Sequence, residues 1–293
     1  MSFFILDYSL FAKSTMYCFT LDINIYFTRR QIMNFKMTIA YDGSRYNGWQ
    51  RQGNTNNTIQ EKIESTLSKM FETEIEINGA GRTDAGVHAK GQVANFKIPA
   101  KIFKMVFHIT DEAQYREKCT DFRDVLNSYL PQDIRIQNIM VAEERFHARL
   151  NAVGKHYCYQ IDQREVAGIF DRKYVSRIEE SLNVNNMKKA ASYLIGEHDF
   201  KTFCANKKMK KSTVRTIHDI VIQNQQGLIT IDFYGDGFLY NMIRIITGTL
   251  IEIGTGKRVP EEMQEILASR DRSKAGFLAE AKGLFLSEVY YQN

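Results

Sequence analysis

Cysteine is scarce in this chain. Its four thiols, at positions 18, 119, 158 and 204, stand far apart with no CxxC pair, which leaves neither a disulfide framework nor the spacing of a zinc site. A reducing cytoplasm is the compartment that fits. Proline is scarcer still, with three in 293 residues; Pro99 and Pro131 read as local stops for a strand and a helix. Long uncharged runs are missing as well. The first 32 residues are rich in Phe, Tyr and Ile, yet Asp7, Lys13, Asp22, Arg29 and Arg30 leave at most 8 uncharged residues in a row there, against the roughly 18 that a spanning helix needs. No membrane span is expected, and residues 1–32 read as a poorly ordered N-terminal extension produced by an upstream start codon. A large charge excess is also absent: the net charge of +5 permits a polyanionic partner without demanding one.

What the chain has is the composition of a soluble globular protein, 44% hydrophobic and 25% charged, enough for one or two cores. Alternation over residues 35–42 predicts a strand. Thr58 stands in capping-box spacing with Glu61 and opens a helix whose apolar face carries Ile59, Ile63 and Leu67. Strands over 74–78 and 92–98, a helix over 119–130 and a strand over 134–141 complete a β-α-β-β-α-β series. Residues 100–118 show little pattern and read as a surface insertion. The series then repeats, with a strand over 149–161, a helix near 185–195, strands over 214–222 and 228–234, a helix over 238–253 and a strand over 284–291. Such a repeat predicts an α+β chain of two tandem ferredoxin-like (split βαβ) domains, 33–143 and 144–293, with antiparallel sheets meeting at a central catalytic cleft.

Between the second and third strands lies Gly79-Ala80-Gly81-Arg82-Thr83-Asp84-Ala85-Gly86-Val87-His88-Ala89-Lys90-Gly91-Gln92-Val93. Its glycines and its lack of apolar period describe a loop with a shape to keep. It presents one carboxylate, Asp84, with small residues behind it that let a large ligand approach. By residue type alone Asp84 serves equally as a turn cap. A metal pair of Asp84 with His88 is poorly supported, because Gly86 between them weakens a helix and no third ligand is near. The whole stretch resembles the signature of the tRNA pseudouridine synthase A (TruA) family, and that resemblance makes Asp84 the catalytic residue.

Other stretches carry the same resemblance. Tyr41-Asp42-Gly43 through Trp49-Gln50-Arg51-Gln52 is similar to the family's YDGxxYxGWQxQ motif, although Trp49 by itself reads as a core aromatic. Phe146-His147-Ala148-Arg149, followed by Tyr157-Cys158-Tyr159, resembles another, in which Tyr157 is the active-site tyrosine; alternation places Tyr157 and Tyr159 on one sheet face, and Tyr159 is assigned to the core. Arg244 is the only charge between Asp236 and Glu252, on an otherwise apolar helix, so a carboxylate or phosphate should meet it. The family likeness supplies that partner as Asp84. Asp199-Phe200-Lys201-Thr202-Phe203 and the run Lys207, Lys208, Lys210, Lys211 fit either a solvated loop or contacts to RNA phosphates and bases. Leu284, in Gly283-Leu284-Phe285-Leu286, resembles a leucine beside the uracil pocket.

The resemblance spans about residues 34 to 291. It implies an isomerase that converts uridine to pseudouridine in the anticodon stem-loop of tRNA, at tRNA positions 38 to 40, and that acts as a homodimer. The conversion breaks N1–C1′ and forms C5–C1′ with no redox change, so no cofactor and no metal are expected. Asp84 attacks C1′ or C6, or removes the C2′ proton. Pairing with Arg244 is expected to favour its charged form, Tyr157 to stack on the base and help remove the C5 proton, and Arg82 to hold the target nucleotide out of its stem. Two other classes stay open on residues alone: an RNA-binding module without catalysis, and an N-glycosidase that would release free base.

Overall fold

In the computed structural model, residues 32–206 and 208–292 are described; the expected N-terminal extension, apart from Ile32, and Lys207 lie outside them. Strand β1 (Ile32–Tyr41) opens the described chain, and alternation turns Phe35, Met37, Ile39 and Tyr41 inward. Helix α1 (Ile59–Met70) starts where the sequence signals it: Glu61 N–H donates to the Thr58 hydroxyl at 3.2 Å, and Ile59, Ile63 and Leu67 are buried. Strand β2 (Ile77–Gly79) leads through the glycine loop into β3 (His88–Pro99), and β4 (Ile134–Ala142) closes the first half.

Residues 100–118 are not a patternless surface insertion. They hold α2 (Ala100–Val106), a 3-10 turn and the start of α3 (Tyr115–Tyr129). Phe103 is fully buried, with its ring 4.7 Å from Phe35 and 5.7 Å from Phe122. A helix of 7 residues spans two turns, too short for its period to stand out in the sequence. On α3 the buried positions are Cys119, Phe122 and Leu126, whereas Val125 and Tyr129 face outward.

The second half comprises β5 (Ala152–Asp162), β6 (Ser176–Arg177), α4 (Val184–Ser192), β7 (Gly196–Asp199), β8 (Val214–Gln225), β9 (Leu228–Gly235), α5 (Met242–Gly254), α6 (Glu262–Ser269) and β10 (Leu284–Tyr291). Instead of two separate antiparallel sheets, the strands of both halves form one mixed sheet in the order β4-β1-β3-β10-β5-β9-β8-β7. The join is parallel, with Phe285 opposite His88 and Leu286 opposite Ala89. The glycine loop, directly before β3, is thereby brought beside β10 and β5. Among the described residues no helix is long and apolar enough to cross a membrane.

Trp49, the only tryptophan of the chain, is 1% exposed and belongs to the core. It fixes the loop from beneath, and Gly79 is the residue that admits it: a Cβ there would stand 2.6 Å from the indole Nε1. Gly79→Ala is expected to destabilise the fold by about 1–3 kcal/mol through overpacking. Urea unfolding followed by the fluorescence of Trp49 measures this directly.

Candidate active site

The loop is held by bonds that do not use the Asp84 carboxylate. Trp49 N–H donates to Thr83 O at 3.0 Å, and Val87 N–H donates to Asp84 O at 3.1 Å. Gly48, at φ +91°, lets this contact form, since a Cβ would lie 2.7 Å from Thr83 O. The Thr83 hydroxyl meets the Tyr41 hydroxyl at 2.8 Å, and Gln92 donates to Gly81 O at 2.8 Å. Asp84 is thus carried on a clamped backbone while its carboxylate projects into a cleft of about 1250 Å³.

Across that cleft stands Arg244, on the first turn of the almost wholly buried helix α5. Its Nε donates to Ala279 O at 2.8 Å and its Nη1 to Asn241 Oδ1 at 3.3 Å, and Asn241 takes the left-handed conformation just before the helix. Nη1 lies 3.7 Å from Asp84 Oδ2, an ion pair longer than a hydrogen bond. Burial pushes the Asp84 carboxyl above the ordinary carboxylate range, and Arg244 opposes that shift without cancelling it. Arg244 acts in the direction the sequence suggests, favouring the charged form, and desolvation is the larger of the two effects.

Tyr157 on β5 lines the same cleft, buried, with its ring edge-on to Phe238 at 5.4 Å. Burial, with Tyr41 and Asp84 nearby, pushes its phenol well up. Leu284, the first residue of β10, and Arg82 also line the cleft. So do Lys208, Lys210 and Lys211 from the predicted basic run. Phe200 and Phe203 do not: both are fully buried, and neither offers a face to a base. Tyr159 is in the core as expected, its hydroxyl donating to Glu280 O at 2.9 Å. His88 is buried at the β3–β10 join, stacked on Phe285 at 4.8 Å, and its Nδ1 accepts from Gly43 N–H at 3.1 Å. Among the described residues no group of three or more His, Cys, Asp or Glu is arranged to hold a metal ion.

The family described as tRNA pseudouridine synthase matches residues 37–151 and 190–292. The chain belongs to the tRNA pseudouridine synthase family. A tRNA pseudouridine synthase A of Bacillus sp. (strain KSM-64) is 48% identical over 258 residues, covering 88% of this chain and 99% of that protein. Proteins named tRNA pseudouridine synthase A 2 from Bacillus anthracis and Clostridium perfringens are each 45% identical, over 258 and 262 residues, with 88% of this chain and 99% of the relative covered in both cases.

For this tRNA pseudouridine synthase the structure adds Lys155, a cleft residue that sequence reasoning passed over because it sits inside a strand. Its ammonium lies against Gly81, and burial, with Arg149 and Arg215 close by, lowers its pKa to about 8, Asp236 opposing. A lysine so placed loses its charge as pH rises through that value, and a bound phosphate restores it. Affinity for tRNA is therefore expected to weaken between pH 7 and 9 in the wild type and to be flatter in Lys155→Met. Filter binding at constant ionic strength checks this, and the slope of log Kd against log salt at pH 7 should shrink by about one in the variant.

Proposed function

We propose that the cleft isomerises a uridine of the tRNA anticodon stem-loop, with Asp84 as the carboxylate that acts on the nucleotide. The observation that carries this reading is the state of Asp84. It is largely desolvated, its ionic partner stands off at 3.7 Å, and its backbone is clamped, so its oxygens are not consumed by structure. A turn cap would spend those oxygens on backbone N–H groups. Around it the cleft is lined by cations suited to a polyanion, among them Arg82, Arg149, Lys155, Lys208 and Lys210.

The chemistry balances within the nucleotide. N1–C1′ breaks, the uracil turns, C5–C1′ forms, the C5 proton leaves and N1 gains one. Asp84 supplies the negative charge at the sugar or base, Arg244 aims it and stabilises the charge that develops, and Tyr157 and Leu284 hold the ring while it turns. Arg82 stands at the mouth, where a nucleotide drawn out of its stem enters. The reading includes a homodimer in the cytoplasm and two tandem ferredoxin-like halves. The strand order β4-β1-β3, with β2 on β3, and the order β10-β5-β9-β8 support the second point, since each half repeats one pattern.

Carbodiimide labelling with primer extension, on an unmodified tRNA transcript incubated with the purified protein, tests the reading. Stops in the anticodon stem-loop are expected with the wild type. Retained RNA binding with no stops would favour a binding module, and release of free uracil would favour an N-glycosidase.

A further inference from the structure

Arg82 precedes Asp84 by two residues, yet the Asp84 carboxylate pairs with Arg244 instead. The Arg82 side chain is engaged elsewhere: its Nε donates to Gln50 Oε1 at 3.0 Å. Gln50 Nε2 in turn donates to Gln60 Oε1 at 2.7 Å, and Gln60 Nε2 donates to Glu64 Oε1 at 2.8 Å. Gln60 and Glu64 are buried on α1, 8% and 4% exposed. This chain of bonds runs from the interior to the cleft.

Its polarity is set by backbone groups that cannot turn over. Gln60 Nε2 also donates to Ile77 O at 3.2 Å, and Gln60 Oε1 also accepts from Arg51 N–H at 3.0 Å. Reversing the Gln60 amide would set oxygen against a carbonyl and NH2 against an N–H. Glu64 Oε1 accepts a further bond from Ile77 N–H at 2.9 Å, which fixes the inner end on the first residue of β2. With Gln60 Oε1 facing outward, Gln50 must turn its NH2 inward, and only its carbonyl oxygen remains for Arg82. A guanidinium, which has donors and no acceptor, is the group that such an oxygen holds.

We propose that Gln50, Gln60 and Glu64 are positioning residues that act through Arg82. They tie up its Nε, keep it away from Asp84, and present its two terminal nitrogens to a phosphodiester group beside the target nucleotide. The inference rests on the function proposed above and deepens it. It divides the two arginines of the site: Arg244 serves the carboxylate and Arg82 serves the RNA backbone. Gln50 is only partly buried, and its loss removes one bond from the chain without opening the core.

The test is a double-mutant cycle in single-turnover pseudouridine formation, with tRNA affinity measured in parallel. Gln50→Met is expected to lower the rate about tenfold, the effect of losing a hydrogen bond to a charged group, while Kd changes less than about twofold and the thermal midpoint holds. In an Arg82→Ala background the same change should have no further effect. Equal losses on both backgrounds, or no loss in Gln50→Met, would each overturn the proposal. Wild-type enzyme that forms no pseudouridine would sink the functional reading instead, so the two failures are separable.

Discussion

Asp84→Asn is expected to reduce pseudouridine formation by about 10³-fold or more, the scale seen when a reacting group is removed, while tRNA binding holds or tightens. The substitution isolates the charge. Asn has nearly the shape of Asp, and the bonds that shape the loop, Trp49 N–H to Thr83 O and Val87 N–H to Asp84 O, involve only backbone atoms at these positions. Removing a negative charge from a cleft lined by Arg82, Lys155, Lys208 and their neighbours does not weaken a polyanion. Single-turnover assay with filter binding on the same preparations separates the two effects. Full activity in Asp84→Asn would refute the role assigned to the carboxylate.

The wild-type pH profile carries a second signature of the same residue. Burial raises the Asp84 carboxyl, and the carboxylate is the form that acts in the proposed reaction. Activity should therefore fall on acidification at a pH above the ordinary range for an aspartate, and rise to a plateau as pH increases through the folded-state pKa. The weakening of tRNA affinity expected as Lys155, lowered to about 8, loses its charge should set the alkaline side at subsaturating tRNA.

Much of this site was legible because it is local. The glycines of the loop, the isolated charge of Arg244 on an apolar helix and the spacing of Thr58 with Glu61 are properties of neighbouring residues, and each marks a feature that the structure contains. What was not legible depends on distant partners. The parallel join of β3 and β10 brings residues 88 and 285 together, and no local pattern announces it. Helix α2 was hidden because seven residues give too little period. The aromatics of the basic run looked suited to RNA, but Phe200 and Phe203 are needed under α5 and α6, where they fill the core. The direction in which the Asp84 carboxyl shifts turned on how deeply it is buried against how far away Arg244 stands, two quantities that only the folded chain defines. The link between Gln50 and Arg82 spans 32 positions and falls in the same class.

Arg244→Met should have the second largest effect, a loss of about 10²-fold at neutral pH, comparable to removing a charge-stabilising donor from an active site, with the acid limb displaced to higher pH. Arg244 is the group that holds the Asp84 carboxyl down against burial, so without it the carboxyl rises further above its unfolded value. A carboxyl whose folded pKa is raised costs stability at pH above that pKa, and the cost disappears as pH falls below the unfolded value near 4. Arg244→Met should thus be destabilised at pH 7 by as much as about 3 kcal/mol, the lower range for breaking a buried pair from one side, and should regain stability on acidification. Adding Asp84→Asn to it should restore most of the loss at pH 7, because no uncompensated charge then remains. Arg244→Lys keeps a positive charge but cannot both donate from Nε to Ala279 O and reach Asp84 from Nη1, so its activity should fall between wild type and Arg244→Met. Urea unfolding at pH 4 and pH 7, run on the three single variants and the double variant beside the activity profile, checks each of these signs. Equal stability of Arg244→Met and the double variant at pH 7 would show that Arg244 holds the fold and not the carboxylate.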